Sequence, residues 1–82
     1  MPISREALRE RKALLALLRQ VRKEAKLRQV DVAAKLHVPQ SYVSNYESGE
    51  RRLDILELRR LCEVLGITMP AFVERLEESL RR

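Results

Sequence analysis

The sequence predicts an all-α chain of five helices, and three observations carry that prediction. Apolar residues recur at helical spacing along nearly the whole length of the 82 residues. Ser4, Asp54 and Thr68 stand where helix-capping side chains belong, and the only two glycines, Gly49 and Gly66, each fall at a helix end. No segment reads as a strand, a repeat, a linker or a low-complexity tract.

The first helix starts at Ser4, with Glu6 near the positive end of its dipole, and its pattern runs unbroken to about Lys26. Such a helix is roughly 33 Å long at 1.5 Å per residue. Ala7, Leu8, Leu14, Leu15, Leu17, Leu18, Val21 and Ala25 share one half of the wheel. Arg11 and Arg22 fall inside that apolar half. Arg11, near the helix start, is expected to snorkel outward, whereas Arg22 lies deep in the stripe and needs a partner. Arg5, Arg9, Lys12, Arg19 and Lys23 form the opposite, solvated face.

Gln29 to Gly49 reads as two short helices broken by a tight turn. Val30, Ala33 and Leu36 are expected to point inward from the first, and Val43 and Tyr46 from the second. The other side of the second helix is polar and short-limbed: Gln40, Ser41, Ser44 and Asn45 recur at helical spacing. Short hydrogen-bonding side chains on a projecting helix are what reading base edges in a major groove requires, so DNA binding is expected.

Asp54, with Glu57 three residues on, makes a capping-box start for a fourth helix expected to bury Ile55, Leu58, Leu61, Cys62 and Leu65, and Gly66 ends it. Thr68 caps the last helix. Pro70 is tolerated in its first turn, and Phe72, Val73, Leu76 and Leu80 form its apolar stripe.

The bulk numbers suit one domain, with residues 1–12 extending the first helix, 13–66 forming the core and 67–82 the last helix. A chain this short buries only roughly 60 to 65% of its unfolded surface, so dimerisation would help it. Seventeen basic and twelve acidic residues give +5. Residues 1–35 hold ten basic and four acidic, against five and six in residues 53–82, so the basic half is amino-terminal. A polyanion such as a phosphate backbone suits that half, although solubility explains most runs of Lys and Arg. One Cys and one His supply neither an intrachain disulfide nor a typical zinc site. The longest apolar run, Ala13 to Leu18, is far short of a membrane span, and the start Met1-Pro2-Ile3-Ser4-Arg5-Glu6 lacks a signal-peptide layout, so a reducing cytoplasmic, nucleoid-associated setting is expected. No catalytic constellation or glycine-rich phosphate loop is evident, and neither an enzyme nor a cofactor or metal is expected.

Leu18-Arg19, Arg22, Leu27, Gln29, Ala33, then Pro39-Gln40-Ser41-Tyr42-Val43-Ser44 and Tyr46-Glu47-Ser48-Gly49, follow a recognisable order. The chain resembles the xenobiotic-response-element (XRE) family of helix-turn-helix regulators, the group related to phage repressors and Cro, closely over about Leu18 to Leu65. That resemblance implies a lambda-repressor-like fold, bacterial or phage, with the helix-turn-helix at helices 2 and 3. It implies base reading by Gln40, Ser41, Ser44 and Asn45, and phosphate contacts from Gln29, Tyr42, Arg51 and Arg52. Gln29 would also steady Gln40. Arg22 and Glu47 resemble a family ion pair between the first helix and the end of the recognition helix, which supplies the partner Arg22 needs. Tyr46 reads as core.

There are departures. His37 stands where the family often has Gly at a positive-φ turn, so some strain is expected there. Pro39 replaces a capping Ser or Thr, and Asn45 stands where many relatives carry a basic residue.

The leading expectation is a sequence-specific transcriptional regulator, a repressor-like homodimer on a palindromic operator. Met69, Phe72, Val73, Leu76 and Leu80 of the last helix are expected to form its two-fold contact. The alternative is an antitoxin or adaptor that binds a protein partner and DNA only for autoregulation. The polar face of Gln40 to Asn45 and the arginines after Gly49 favour the first.

Overall fold

Cap chemistry sets the helix boundaries in the computed structural model, which describes residues 4–82. Residues 1–3, the start of the amino-terminal extension, lie outside the described residues. Helix α1 spans Arg5–Glu24, and the Ser4 hydroxyl oxygen accepts from the Ala7 N–H at 3.1 Å. It stops two residues short of the expected Lys26. Lys26 instead turns left-handed (φ 60°), and the Leu27 N–H donates back to the Arg22 carbonyl at 3.2 Å. The apolar periodicity carries on across this stop because Leu27 packs against the core.

Helix α2 spans Gln29–Leu36, α3 spans Gln40–Ser48, α4 spans Ile55–Leu65 and α5 spans Met69–Leu80. No other helix and no strand occurs among the described residues. At the head of α2 the Asp31 carboxylate accepts from the Arg28 backbone N–H at 2.8 Å. His37 closes α2 at φ 59°, the positive-φ position expected of it. Pro39 opens α3 without a side-chain cap, and Gly49 closes it at φ 88°. The Asp54 and Glu57 carboxylates accept reciprocally from each other's backbone N–H at 2.7 and 2.9 Å, heading α4. Thr68 caps α5 through the Ala71 N–H at 3.2 Å, with Pro70 in the first turn.

Helix α2 packs on α3 and α4, α1 packs on α3 and α5, and α4 meets α5. Leu17, Leu18, Val21, Val32, Ala33, Val43, Tyr46, Leu61, Cys62, Leu65 and Phe72 form the shared core. Two inward assignments change. Val32 is fully buried and Val30 is 43% exposed, so the inward face of α2 is Val32, Ala33 and Leu36. Both stripes have helical spacing, and packing against two neighbouring helices selects between them. Ile55 is 71% exposed, because the first turn of α4 stands clear of the body.

Of the α5 residues expected to face a second copy, Phe72 is fully buried in its own protomer, and Met69 and Leu76 pack against that core. Only Val73 is exposed, with Leu80 half-buried, so this helix leaves a narrow strip for any partner. Burying a side chain such as Phe72 stabilises the protomer by about 1.5 to 3 kcal/mol, which explains the preference.

The start of α1 is tied down at both sides. Arg11 does not snorkel: its guanidinium donates to the Gly49 carbonyl. Gly49 is favoured there by its φ of 88°, and a Cβ in its place would lie 3.0 Å from Leu15 Cδ1, so that side chain would have to shift. Arg9 donates to the carbonyls of Leu80 and Arg82 at 2.7 and 2.9 Å. At the other end of α1, Glu24 and Arg75 form a two-pronged pair at 2.8 and 2.9 Å.

Candidate nucleic-acid interface

Helix α3 is held from one side and open on the other. Val43, Tyr46 and Glu47 are buried, while Gln40, Ser41 and Ser44 are exposed and Asn45 is half-exposed on the opposite face. None of these four side chains hydrogen-bonds another part of the chain among the described residues, so their donors and acceptors stay available. The turn preceding the helix contributes to this opening. Pro39 has no N–H and offers no side-chain acceptor, and the first amide N–H groups of α3 have no acceptor within the helix.

The anchor of α3 is Glu47, only 3% exposed. Its carboxylate accepts from Arg22 Nε at 2.6 Å and Arg22 Nη2 at 3.1 Å, a bidentate geometry that strengthens both bonds. Arg22 also donates to the Leu27 carbonyl at 2.9 Å. The bond to Glu47 holds the Arg22 guanidinium above its ordinary pKa, against the opposing effect of burial. Gln29 Nε2 donates to the same carboxylate at 3.1 Å, and Arg19 Nε approaches it at 4.0 Å. Gln29 is therefore tied to the ion pair. No hydrogen bond joins it to Gln40.

A second cluster fixes the connection from α3 to α4. The Tyr42 hydroxyl donates to Glu57 Oε2 at 2.7 Å, and Arg51 Nη2 pairs with the same oxygen at 2.7 Å. The Arg51 guanidinium lies 4.3 Å from the centre of the Tyr42 ring, and that ring meets Tyr46 edge-on at 6.0 Å. Arg51, the Asp54 backbone N–H and Tyr42 together hold the Glu57 carboxyl at about 2, Arg51 contributing most. Burial, and then the bond to Glu57, push the Tyr42 hydroxyl up. Burial does the same to Tyr46.

Tyr42 and Arg51 thus have partners inside the protein, whereas Arg52 is exposed with no ion-pair partner among the described residues. The sharing of Glu57 is not visible in sequence, where Glu57 reads only as half of a capping box. Nor are the Arg11 and Arg75 contacts, which join segments far apart in the chain. Among the described residues no cluster of His, Cys, Asp or Glu could hold a metal, and no helix is long and apolar enough to cross a membrane.

The arrangement has known counterparts. The helix-turn-helix family pattern matches residues 18–72. Among solved structures, an XRE-family like protein from Pseudomonas syringae pv. tomato str. DC3000 is 40% identical, covers 85% of each chain and superposes with a TM-score of 0.80. No curated protein matches the chain.

Proposed function

The chain belongs to the XRE-type helix-turn-helix family of DNA-binding transcription regulators, and from that premise we propose that it is a homodimeric, sequence-specific regulator of a palindromic operator. One observation carries the reading. The outward face of α3 presents Gln40, Ser41, Ser44 and Asn45 with no protein partner, on a helix locked from behind by the Arg22–Glu47 pair. A locked helix with free polar side chains offers base contacts at little ordering cost.

In this reading Gln40 pairs with adenine through its amide, while Ser41, Ser44 and Asn45 set neighbouring positions. Arg52 reaches a phosphate directly, and Arg51, held by Tyr42 and Glu57, presents its remaining surface to the same backbone. Gln29 and Tyr42 contribute phosphate contacts from the first turns of α2 and α3. Binding is the whole mechanism, and it takes place in the cytoplasm on the nucleoid.

Two bound copies read two half-sites about 34 Å apart, one helical turn of DNA. Selection of bound duplexes from a randomised pool tests the whole reading. The expected result is two inverted half-sites with one or two strongly preferred positions each. Recovery of unenriched sequence at every round would overturn it.

A further inference from the structure

A cleft of about 470 Å³ opens between α1, the connection 49–54 and α5. Leu14, Leu15 and Leu18 line it from α1, Leu53 from the connection and Leu76 from α5, and the buried Tyr46 lines it from α3. Its volume lies within the range of small-molecule sites, about 300 to 1,000 Å³, which are mostly apolar with a few placed polar groups. Leu15, half-buried, takes no part in the packing around the core, so its apolar surface is left to the cleft.

The polar lining is three arginines and one glutamate. Arg51 has its charge answered by Glu57 at 2.7 Å. Arg11 donates to the Gly49 carbonyl, a neutral acceptor, and Arg52 is exposed; neither has an ion-pair partner among the described residues. Glu10, also exposed, is likewise unpaired there. Arg11 and Arg52 against Glu10 leave the cleft a net positive charge. Arg11 and Leu18 stand about 10 Å apart along α1, so charge and buried apolar surface occupy opposite ends of one wall. Glu10, Arg11, Leu14, Leu15 and Leu76 all lie outside the residues 18–72 that match the family pattern. The cleft is therefore built largely from what this chain adds to the shared helix-turn-helix.

We propose that the cleft binds a small amphiphile with one anionic head, a medium-chain aliphatic carboxylate. Its chain lies along Leu14, Leu15 and Leu18, and its carboxylate sits between Arg11 and Arg52. An uncharged lipid leaves the cations unanswered, and a simple inorganic anion leaves the leucines in water. Arg52 is also the residue assigned to a phosphate, so carboxylate and operator compete for one guanidinium and the ligand releases DNA. That consequence, unlike the site, rests on the operator-binding reading above.

Calorimetric titration of the full chain with sodium decanoate tests the site. One saturable site is expected, and decanoate should raise the melting temperature, as a ligand of the native state does. Octanoate, shorter by two methylenes, should bind about tenfold more weakly. Decanol, which lacks the charge, should also lose about tenfold. Leu15→Gln and Arg52→Glu should each weaken decanoate by about tenfold, Arg52→Glu leaving decanol unaffected, while circular dichroism shows both variants folded. Saturating decanoate should weaken operator binding by the parent about tenfold. At the same concentration it should have little effect on Leu15→Gln, whose own affinity for DNA stays parental.

Absence of saturable binding, a lowered melting temperature, or binding that both variants leave unchanged overturns the site. So do cleft resonances that shift with protein concentration in ligand-free heteronuclear NMR spectra, since a second copy is then the occupant. Decanoate bound in the cleft with operator affinity unchanged overturns the release of DNA. A chain that binds decanoate there and enriches no sequence from a randomised pool overturns the operator-binding reading and leaves the site standing.

Discussion

At Glu47, side chains from α1 and α2 converge on one carboxylate of α3, so a single residue sets how the recognition helix sits on the body. The pair need not contribute much net stability, but removing one partner leaves the other buried and uncompensated. Glu47→Ala is therefore expected to cost about 3 kcal/mol in urea unfolding, and a midpoint equal to the parent's would falsify the buried-pair account. On the open side of α3 the expected losses concern binding. Gln40→Ala should weaken the preferred site by about 1 to 3 kcal/mol and relax one position per half-site. Equal weakening on random DNA would remove Gln40 from base reading. Arg52→Ala should act uniformly across sequences and lower the salt slope by about one unit, measured by titration at several salt concentrations. If the slope is unchanged, Arg52 does not touch phosphate.

Helices α1 to α4 each close with a left-handed residue, and only α3 and α4 use glycine there. Lys26 and His37 take the same turn with a Cβ, at some steric cost. Replacing the exposed His37 by Gly relieves that cost but loosens the unfolded chain, so a net gain of about 0.5 kcal/mol is expected. A drop in melting temperature for His37→Gly would point instead to an uncounted contact of the imidazole. The same elements show what sequence can and cannot reveal. Ser4, Asp54, Thr68 and Gly66 are legible because caps act within four residues. The stop at Lys26 is not, since a lysine carries no signal for a left-handed turn and Leu27 continues the apolar spacing. Val30 and Val32 offered α2 two equally periodic faces, and only the neighbouring helices decide between them. The exposure of Gln40, Ser41 and Ser44 follows from spacing alone. The shared use of Glu57 by Tyr42 and Arg51 depends on how α3 and α4 are rotated against each other.

For the molecule as a whole, acid is the informative stress. Glu57 titrates at about 2 in the fold, against an ordinary 4.5. A lowered folded pKa means that its contribution is complete above the unfolded value and disappears as pH falls from about 4.5 through about 2. Asp31, held at about 2 by Arg28 against an ordinary 3.8, loses its contribution over the lower part of that window. Stability measured by urea unfolding should therefore decline between pH 5 and 2. Glu57→Gln should be less stable than the parent at neutral pH and show a shallower decline. A decline as steep as the parent's would exclude Glu57 as a source of the acid sensitivity.

The division of α3 into a held side and an open side reaches beyond stability. Val43, Tyr46 and Glu47 secure the chassis, while Gln40, Ser41, Ser44 and Asn45, exposed on the other side, are the residues proposed to write the address. Because the two sets share no hydrogen bond, a lineage can rewrite the address one letter at a time without renegotiating the chassis, and a small regulator of this build can be retargeted to new operators by changes that its own folding barely registers.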